Sequence, residues 1–282
     1  MANSLFILEN PVDTAPTITA SSAELAMPVE NIQDQRRSLV WRSGFGLSSY
    51  VDISFNIKKL ISIFACVDVN INATGSIKIQ AFSDSARTTE TYTATFAPTV
   101  YSQEQQKSLY GIGTYGTGTY SLNGTLNLGR NRNITIYEFP VPQFWQYWRI
   151  TFEDGNTTYQ QVSRIYLSTF DRFDVNLSYG WSARRIDRSI KKESLGGQIF
   201  TQTRDSRLQL QCQYDFLSTK ERTRSLQIME SYAETYPLIF SISPENTDEG
   251  LTTSLYGTLS SPEASETNVA LNNFSFGITE EL

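Results

Sequence analysis

Short segments in which apolar and polar residues alternate recur along this chain, and this alternation constrains its fold more than any other feature. Residues 51–55 (Val-Asp-Ile-Ser-Phe) carry an apolar side chain at every second position, and residues 76–82 and 148–152 repeat the pattern. Because successive side chains of a β-strand point to opposite faces, a period of two predicts half-buried strands. Many short strands with little helix between them predict a mainly β, antiparallel sandwich rather than a parallel α/β sheet.

Two segments indicate the core of this sandwich. Residues 60–69 are mostly apolar and β-branched, which is typical of a central strand. Alternation also predicts that Trp148, Ile150 and Phe152 point to one face, the core.

The chain divides into an N-terminal arm and two regions. Residues 1–14 are predicted to be the arm, with an edge strand over 4–8 that ends at Asn10-Pro11. Residues 15–170 contain the strand-rich sandwich. Residues 171–282 differ in composition and are predicted to be a smaller α+β domain with one main helix between strands.

The predicted helix of the second region begins at Ser218, an N-cap whose partner Glu221 completes a capping box. Pro237 is expected to stop it. Residues at three- and four-residue spacing predict its apolar face: Thr223, Leu226, Met229, Ala233 and Tyr236. A basic run over 184–192 precedes the helix and is interpreted as a solvated or interface surface.

A Gly/Tyr/Thr-rich segment, residues 101–133, interrupts the sandwich and is predicted to be a long loop or a projecting hairpin. Tyr110, Tyr115 and Tyr120 within it are candidate contact residues, because tyrosine buries area at modest entropic cost. The partner would be another protein chain or a carbohydrate; the alternative is a hairpin folded over its own domain. Residues 111–116 match G-x-G-x-x-G, but no helical pattern follows, so we expect no dinucleotide site.

The residue types that are missing exclude much chemistry. The chain has no histidine, which removes Ser-His-Asp and Cys-His catalysis and imidazole metal ligands. Its two cysteines, Cys66 and Cys212, lie far apart in sequence, so a cysteine-rich metal site is excluded. They are interpreted as reduced core residues, with a disulfide between them as the alternative.

Acidic residues offer two further hypotheses. Paired carboxylates can hydrolyse glycosides without histidine, and carboxylate oxygens can bind Ca²⁺. Glu153, Asp154, Asp171 and Asp174 are the candidates for either site, although acidic residues are common in solvated turns. Their spacing selects no pair and is not that of an EF-hand, so we expect no catalytic residue and no metal or cofactor.

The charge balance bears on partners. A net charge of −6 argues against nucleic-acid binding, which needs a basic face. No apolar stretch approaches the ~20 residues that span a bilayer, and the N-terminus lacks the features of a signal peptide. We therefore expect that the protein is synthesised in a cytoplasm and that it does not insert into a membrane.

Two motifs point to a family. Residues 31–43 (Asn-Ile-Gln-Asp-Gln-Arg-Arg-Ser-Leu-Val-Trp-Arg-Ser), followed by Val51-Asp52-Ile53, resemble the opening of discoidin-like (galactose-binding-like) jelly-roll domains of phage structural proteins. Residues 144–152 (Phe-Trp-Gln-Tyr-Trp-Arg-Ile-Thr-Phe) and 162–167 resemble the closing strands of such domains. The C-terminal region is similar in pattern to tail-tip or baseplate proteins of long-tailed bacteriophages, including distal tail proteins.

The resemblance implies a non-enzymatic structural protein of the phage tail, made in the host bacterial cytoplasm and located in the virion. Its expected partners are the tube, hub and fibre proteins of the tail and further copies of itself, contacted through residues 1–14 and 101–133. The alternative is a carbohydrate-binding module that recognises a host surface glycan through exposed aromatic residues such as Trp41, Phe45 or Tyr115. A glycosidase is the third hypothesis.

Overall fold

The computed structural model describes residues 3–72, 74–98, 134–155, 157–194, 197–232, 235–244, 254–268 and 271–282. These ranges contain two short 3-10 helices (Pro11–Thr14 and Val29–Gln33) and the α-helix α1 (Thr219–Tyr232). The first nine strands are β1 (Leu5–Ile7), β2 (Thr17–Ala20), β3 (Trp41–Arg42), β4 (Ser48–Val67), β5 (Ser76–Phe82), β6 (Glu90–Phe96), β7 (Ile134–Glu153), β8 (Gln161–Val162) and β9 (Arg164–Ser168). The others are β10 (Asp171–Arg172), β11 (Ser182–Ile186), β12 (Ile190–Glu193), β13 (Ile199–Gln202), β14 (Arg207–Leu217), β15 (Leu238–Ser241), β16 (Ser254–Asn268) and β17 (Leu271–Glu280).

Strands pair in antiparallel fashion throughout the described ranges, and the predicted mainly β sandwich class is confirmed. One sheet has the order β2-β4-β7-β5-β6, with β9 added beside the second half of β4. The two longest strands, β4 and β7, pair along most of their length, with register breaks between Ser54 and Lys59 and between Ile61 and Ile63. These breaks let one long strand pair serve both layers of the sandwich.

The sandwich core contains the residues that alternation predicts. Val51, Ile53 and Phe55 of β4 are buried, as are Trp148, Ile150 and Phe152 of β7, which confirms both predictions. Cross-strand pairing explains the match, because Ile53 lies opposite Trp148 and Val51 opposite Ile150.

The second sheet has seven strands in the order β10-β1-β15-β16-β17-β14-β11, and α1 packs on it. Its N-terminal strand β1 lies between β10 and β15. The expectation of an edge strand that contacts neighbouring proteins is therefore wrong for these residues. Leu5, Phe6 and Ile7 are wholly buried because both faces of β1 are covered: Phe6 packs among apolar residues of the second sheet, and Leu5 and Ile7 pack against residues of β4.

A shared apolar cluster joins the two sheets. The side chains of Phe64 and Cys66 on β4 point into the sandwich core, whereas Ile63, Ala65 and Val67 point into a second cluster. That second cluster also holds side chains from β1, β9, β15 and β16. A strand buried on both faces reads as a continuous apolar run, which explains the pattern of residues 60–69.

Helix α1 begins with the predicted capping box. The Ser218 hydroxyl accepts from the Glu221 N–H at 3.3 Å, and the Glu221 carboxylate accepts from the Ser218 N–H at 2.8 Å. The same carboxylate accepts from the Asp174 N–H at 2.7 Å. Burial acts to raise the pKa of Glu221, but these hydrogen bonds outweigh it and leave the pKa below its usual range.

The helix face that packs on the sheet differs from the predicted one. Glu221, Ser225 and Ile228 are buried, whereas Leu226 and Tyr236 are exposed. The hydrogen bonds to Glu221 allow a charged side chain to lie inward, at a position that hydrophobic periodicity assigns to solvent. Of the predicted face, Met229 packs against the core, Thr223 is exposed, and Ala233 lies outside the described residues.

Candidate functional site

The candidate contact residue Trp41 lies in the core, so the expectation that it is exposed is wrong. It is wholly buried, its indole Nε1 donates to the Ser22 carbonyl at 3.1 Å, and its ring centroid lies 6.0 Å from that of Phe152. Strand β3 holds it there by pairing Trp41 with Val162. A buried indole with a satisfied N–H stabilises the fold and offers no surface to a ligand.

The second candidate, Phe45, is 94% exposed on the loop between β3 and β4. Hydrogen bonds fix this loop on both sides of the ring: the Ser43 N–H donates to the Gln160 carbonyl at 2.8 Å, and the Gly46 N–H donates to the Thr158 carbonyl at 3.0 Å. The Gln160 side chain, which is buried, donates to the Gly46 carbonyl at 3.1 Å. Phe45 is thus an aromatic ring presented to solvent by an ordered loop.

An open cleft of about 370 Å³ lies at this end of the sandwich, between the starts of β4 and β5 and the end of β7. Leu47, two residues after Phe45, lines it together with the exposed Glu153 and the buried Asp154. The Asp154 carboxylate accepts from the Asn72 N–H at 2.7 Å, and its N–H donates to the Leu47 carbonyl at 2.9 Å. The cleft offers one solvent-facing carboxylate and several hydroxyls, which suits hydrogen bonding to a polar ligand.

The four acidic candidates do not come together. Glu153 and Asp154 lie at the cleft, whereas Asp171 lies on β10, where it pairs with Arg224. Asp174 is exposed near the start of α1, where its N–H donates to Glu221. Among the described residues, no three His, Cys, Asp or Glu side chains form a group that could hold a metal ion.

The remaining sequence candidates divide into two sets. Tyr110, Tyr115 and Tyr120, with the whole of residues 101–133, lie outside the described residues. Cys66 and Cys212 are free and buried, in agreement with their interpretation as reduced core residues. Burial raises the pKa of each thiol to about 12, so neither is a nucleophile at neutral pH.

A further exposed surface includes part of the basic run over 184–192, although the sequence did not predict its hairpin structure. Strands β12 and β13 form a two-stranded sheet of their own, here called the distal hairpin (described residues 190–194 and 197–202), which lies between β11 and β14 in the sequence. All eight strand residues are exposed. The Gly197 and Gln198 backbone hydrogen bonds to Ser194 close its end, and the φ of +77° at Gly197 is one that glycine adopts without strain.

Apolar side chains lie on both faces of the distal hairpin. Ile199 is 66% exposed and Phe200 59% exposed, and as neighbours on one strand they point to opposite faces. Phe200 lies opposite Lys192, and Ile199 lies opposite Glu193. Near the start of β11, Trp181 and Tyr179 are also exposed. The basic run over 184–192 spans β11, the connection that contains Arg188, and the start of β12.

Comparisons with known proteins identify structural likenesses only. No family model matches the chain, and no curated protein matches it. Chitosan-binding module 1 of a chitosanase/glucanase from Paenibacillus sp. IK-5 is 17% identical, with 57% of this chain and 99% of that chain covered and a TM-score of 0.38. A fucose-binding module of Streptococcus pneumoniae is 12% identical, with 58% and 100% covered and a TM-score of 0.38.

A family 32 CBM from C. perfringens NanJ, in complex with galactose, is 13% identical, with 60% and 99% covered and a TM-score of 0.36. The three solved structures described here are carbohydrate-binding modules. In the described ranges, the helix is neither long nor apolar enough to cross a bilayer.

Proposed function

We propose that this chain is a non-catalytic structural subunit of a protein assembly, the tail tip or baseplate of a long-tailed bacteriophage. The observation that carries the proposal is the distal hairpin, which exposes apolar side chains on both faces. An isolated two-stranded hairpin is marginally stable in water. Covering its exposed Ile and Phe side chains with a partner surface lowers the free energy, because apolar area is removed from water. Placement in a phage tail rests on the sequence resemblance of residues 171–282.

Rigid coupling between the two sheets supports the same proposal. A subunit that fixes the positions of its neighbours must not hinge between its own parts. Here the shared apolar cluster, the Arg37–Glu280 ion pair and a hydrogen bond from the Tyr256 hydroxyl to the Gln35 carbonyl at 2.6 Å join them. These contacts are buried or partly buried, where ion pairs and hydrogen bonds resist rearrangement.

Electron microscopy of purified virions that carry a site-specific label on this chain tests the placement. We expect label at the tail tip, and we expect a Phe200→Asp chain to be excluded from particles while a Leu25→Asp chain is incorporated. Leu25 is the matched control, since it is fully exposed on the sandwich. Label elsewhere in the virion, or absent from it, would reject the proposal.

A second candidate function is carbohydrate binding at the loop end of the sandwich. It is favoured by Phe45, an exposed ring on an ordered loop, close in sequence to the cleft residue Leu47. An aromatic face packs against the apolar face of a sugar ring, and the cleft carboxylate and hydroxyls can bind its hydroxyl groups. The ligand would be a host surface glycan, with the sandwich as its binding module.

A glycan array tests this second function with the wild-type chain and two variants. We expect binding to at least one glycan, weakened about tenfold by Phe45→Ala and unchanged by Leu25→Ala. A wild-type chain that binds no glycan would reject it. Binding that survives Phe45→Ala would exclude Phe45 from the site.

A further inference from the structure

The charge of the distal hairpin and its flanking strands is opposite to that of the rest of the molecule. Residues 182–207 contain seven Lys and Arg against three Asp and Glu, a net charge of +4. Because the whole chain carries −6, the remaining residues carry −10. The molecule thus has a basic segment, residues 182–207, and an acidic remainder, here called the acidic body.

The two charges are available at the surface. Within residues 182–207 six of the seven cations are exposed, and Lys191 pairs with Asp187 of the same segment at 3.8 Å. Elsewhere in the described ranges ten carboxylate residues are exposed, against three exposed cations (Arg36, Lys58 and Lys220). The hairpin therefore meets an attractive potential on the body of another molecule of the same sequence.

We propose that the distal hairpin of one copy binds the acidic body of a second copy, head to tail. The inference rests on the proposed function and names its partner as this chain itself. Two hairpins that met each other would juxtapose +4 with +4, which disfavours a two-fold contact through this element. A contact between different surfaces of two copies leaves one hairpin and one acidic surface free for further copies.

Apolar and charged residues have separate roles in this contact. Ile199 and Phe200 would be covered by the neighbour and supply affinity through buried apolar area. Lys191 and Lys192 would steer the encounter and fix which surface is met. The contact is therefore expected to weaken as ionic strength rises from about 0.05 to 0.5 M, where the Debye length falls below ~5 Å.

A capture experiment separates head-to-tail from two-fold contact. A tagged Lys191→Glu/Lys192→Glu chain is mixed with untagged wild-type chain at low salt. Its hairpin is disabled but its acidic body is intact, so we expect it to be monomeric alone and yet to capture wild-type chain. The matched control is Lys58→Glu/Lys220→Glu, which has the same net charge but an unaltered hairpin and is expected to self-associate within about twofold of wild type.

Three results would overturn the inference. The first is wild-type self-association by the hairpin variant. The second is failure of the hairpin variant to capture a wild-type chain that does self-associate, a result that indicates a two-fold contact. A wild-type chain that stays monomeric in this experiment but is found at the tail tip would overturn the inference and leave the proposed function standing. A Phe200→Ser chain, which leaves every charge in place, provides a second test and is expected to lose self-association at least tenfold.

Discussion

The Arg37 guanidinium donates to the Glu280 carboxylate at 2.8 Å, across 243 residues of sequence. Arg37 also donates to Asp68 at the end of β4, at 2.6 Å, and Glu280 accepts from the Leu208 N–H at 2.9 Å. The side chains of Arg37 and Glu280 are 5% and 1% exposed. This ion pair connects the loop before β3 to β17, the strand of the second sheet that contains Glu280.

Arg37→Met is expected to lower the free energy of unfolding by about 3–5 kcal/mol, because it leaves the buried Glu280 carboxylate without its cation. Urea denaturation followed by tryptophan fluorescence measures the change. Arg36→Met is the control, since Arg36 pairs with Asp34 in solvent, and its unfolding midpoint should stay at the wild-type value. Equal effects of the two substitutions would contradict a linking role for Arg37.

Trp41 and Phe45 should behave oppositely although they are four residues apart. Trp41→Ala is expected to cost about 3–5 kcal/mol of stability, since it opens a cavity in the sandwich core. Phe45→Ala should leave thermal unfolding unchanged, because its ring lies in solvent. Differential scanning calorimetry of both variants provides the comparison, and a stable Trp41→Ala chain would contradict its buried position.

Gly75 is expected to resist substitution, because a Cβ there would overlap Ile71 Cγ2 and lie 2.6 Å from the Glu153 carbonyl oxygen. Gly75→Ala should destabilise the chain by about 1–3 kcal/mol and distort the cleft. Gly155 lines the same cleft, but in the part of the chain that the structure describes no atom lies within 4 Å of such a Cβ. The Gly155→Ala chain should therefore have the same urea midpoint of unfolding as the wild-type chain. An equal loss of stability from the Gly75→Ala and Gly155→Ala substitutions would contradict this packing.

The thiols of Cys66 and Cys212 should be unreactive in the native protein. Both are free and buried, and burial raises the pKa of each to about 12. A thiol reagent at pH 8 should label neither residue in the folded chain and both in denaturant. Labelling of fewer than two thiols in reductant-free denaturant would contradict the free state.

The same pKa values give a sign for the pH dependence of stability. In the unfolded chain a thiol ionises near pH 9, whereas in the folded chain it keeps its proton up to about pH 12. The folded state then binds more protons, so its stability is fully present below about pH 9 and falls as pH rises toward 12. Cys66→Ala should reduce this fall in chemical denaturation between pH 8 and 11, and an unchanged slope would contradict the assignment.

Local patterns predicted the strands, because alternation at residues 51–55 and 148–152 reports directly which side chains face a core. The capping box at Ser218 and Glu221 was likewise readable, since both partners lie within four residues. The burial of Trp41 depends on β8, about 120 residues further along the chain, and no local pattern reports such pairing. The buried helix face was missed because Glu221 is satisfied by the distant Asp174 N–H.

The distal hairpin could not be predicted from alternation, because neither of its faces is buried in its own chain. Ile199 and Phe200 are adjacent rather than alternate, and two of the four residues of β12 are cations. Its strands exist through mutual hydrogen bonding, such as the pairing of Ile190 with Gln202. The one sequence signal was the basic run over 184–192 followed by glycine, which is compatible with a loop as well as with a hairpin.

The molar mass of the purified chain, measured by light scattering over a range of concentrations, tests most directly whether this molecule works through contacts between its surfaces. At low salt we predict masses that rise to multiples of 31.9 kDa, and a return to 31.9 kDa for the Phe200→Ser chain. A wild-type mass of 31.9 kDa at every concentration, or a Phe200→Ser mass equal to that of the wild type, would contradict self-association through the distal hairpin.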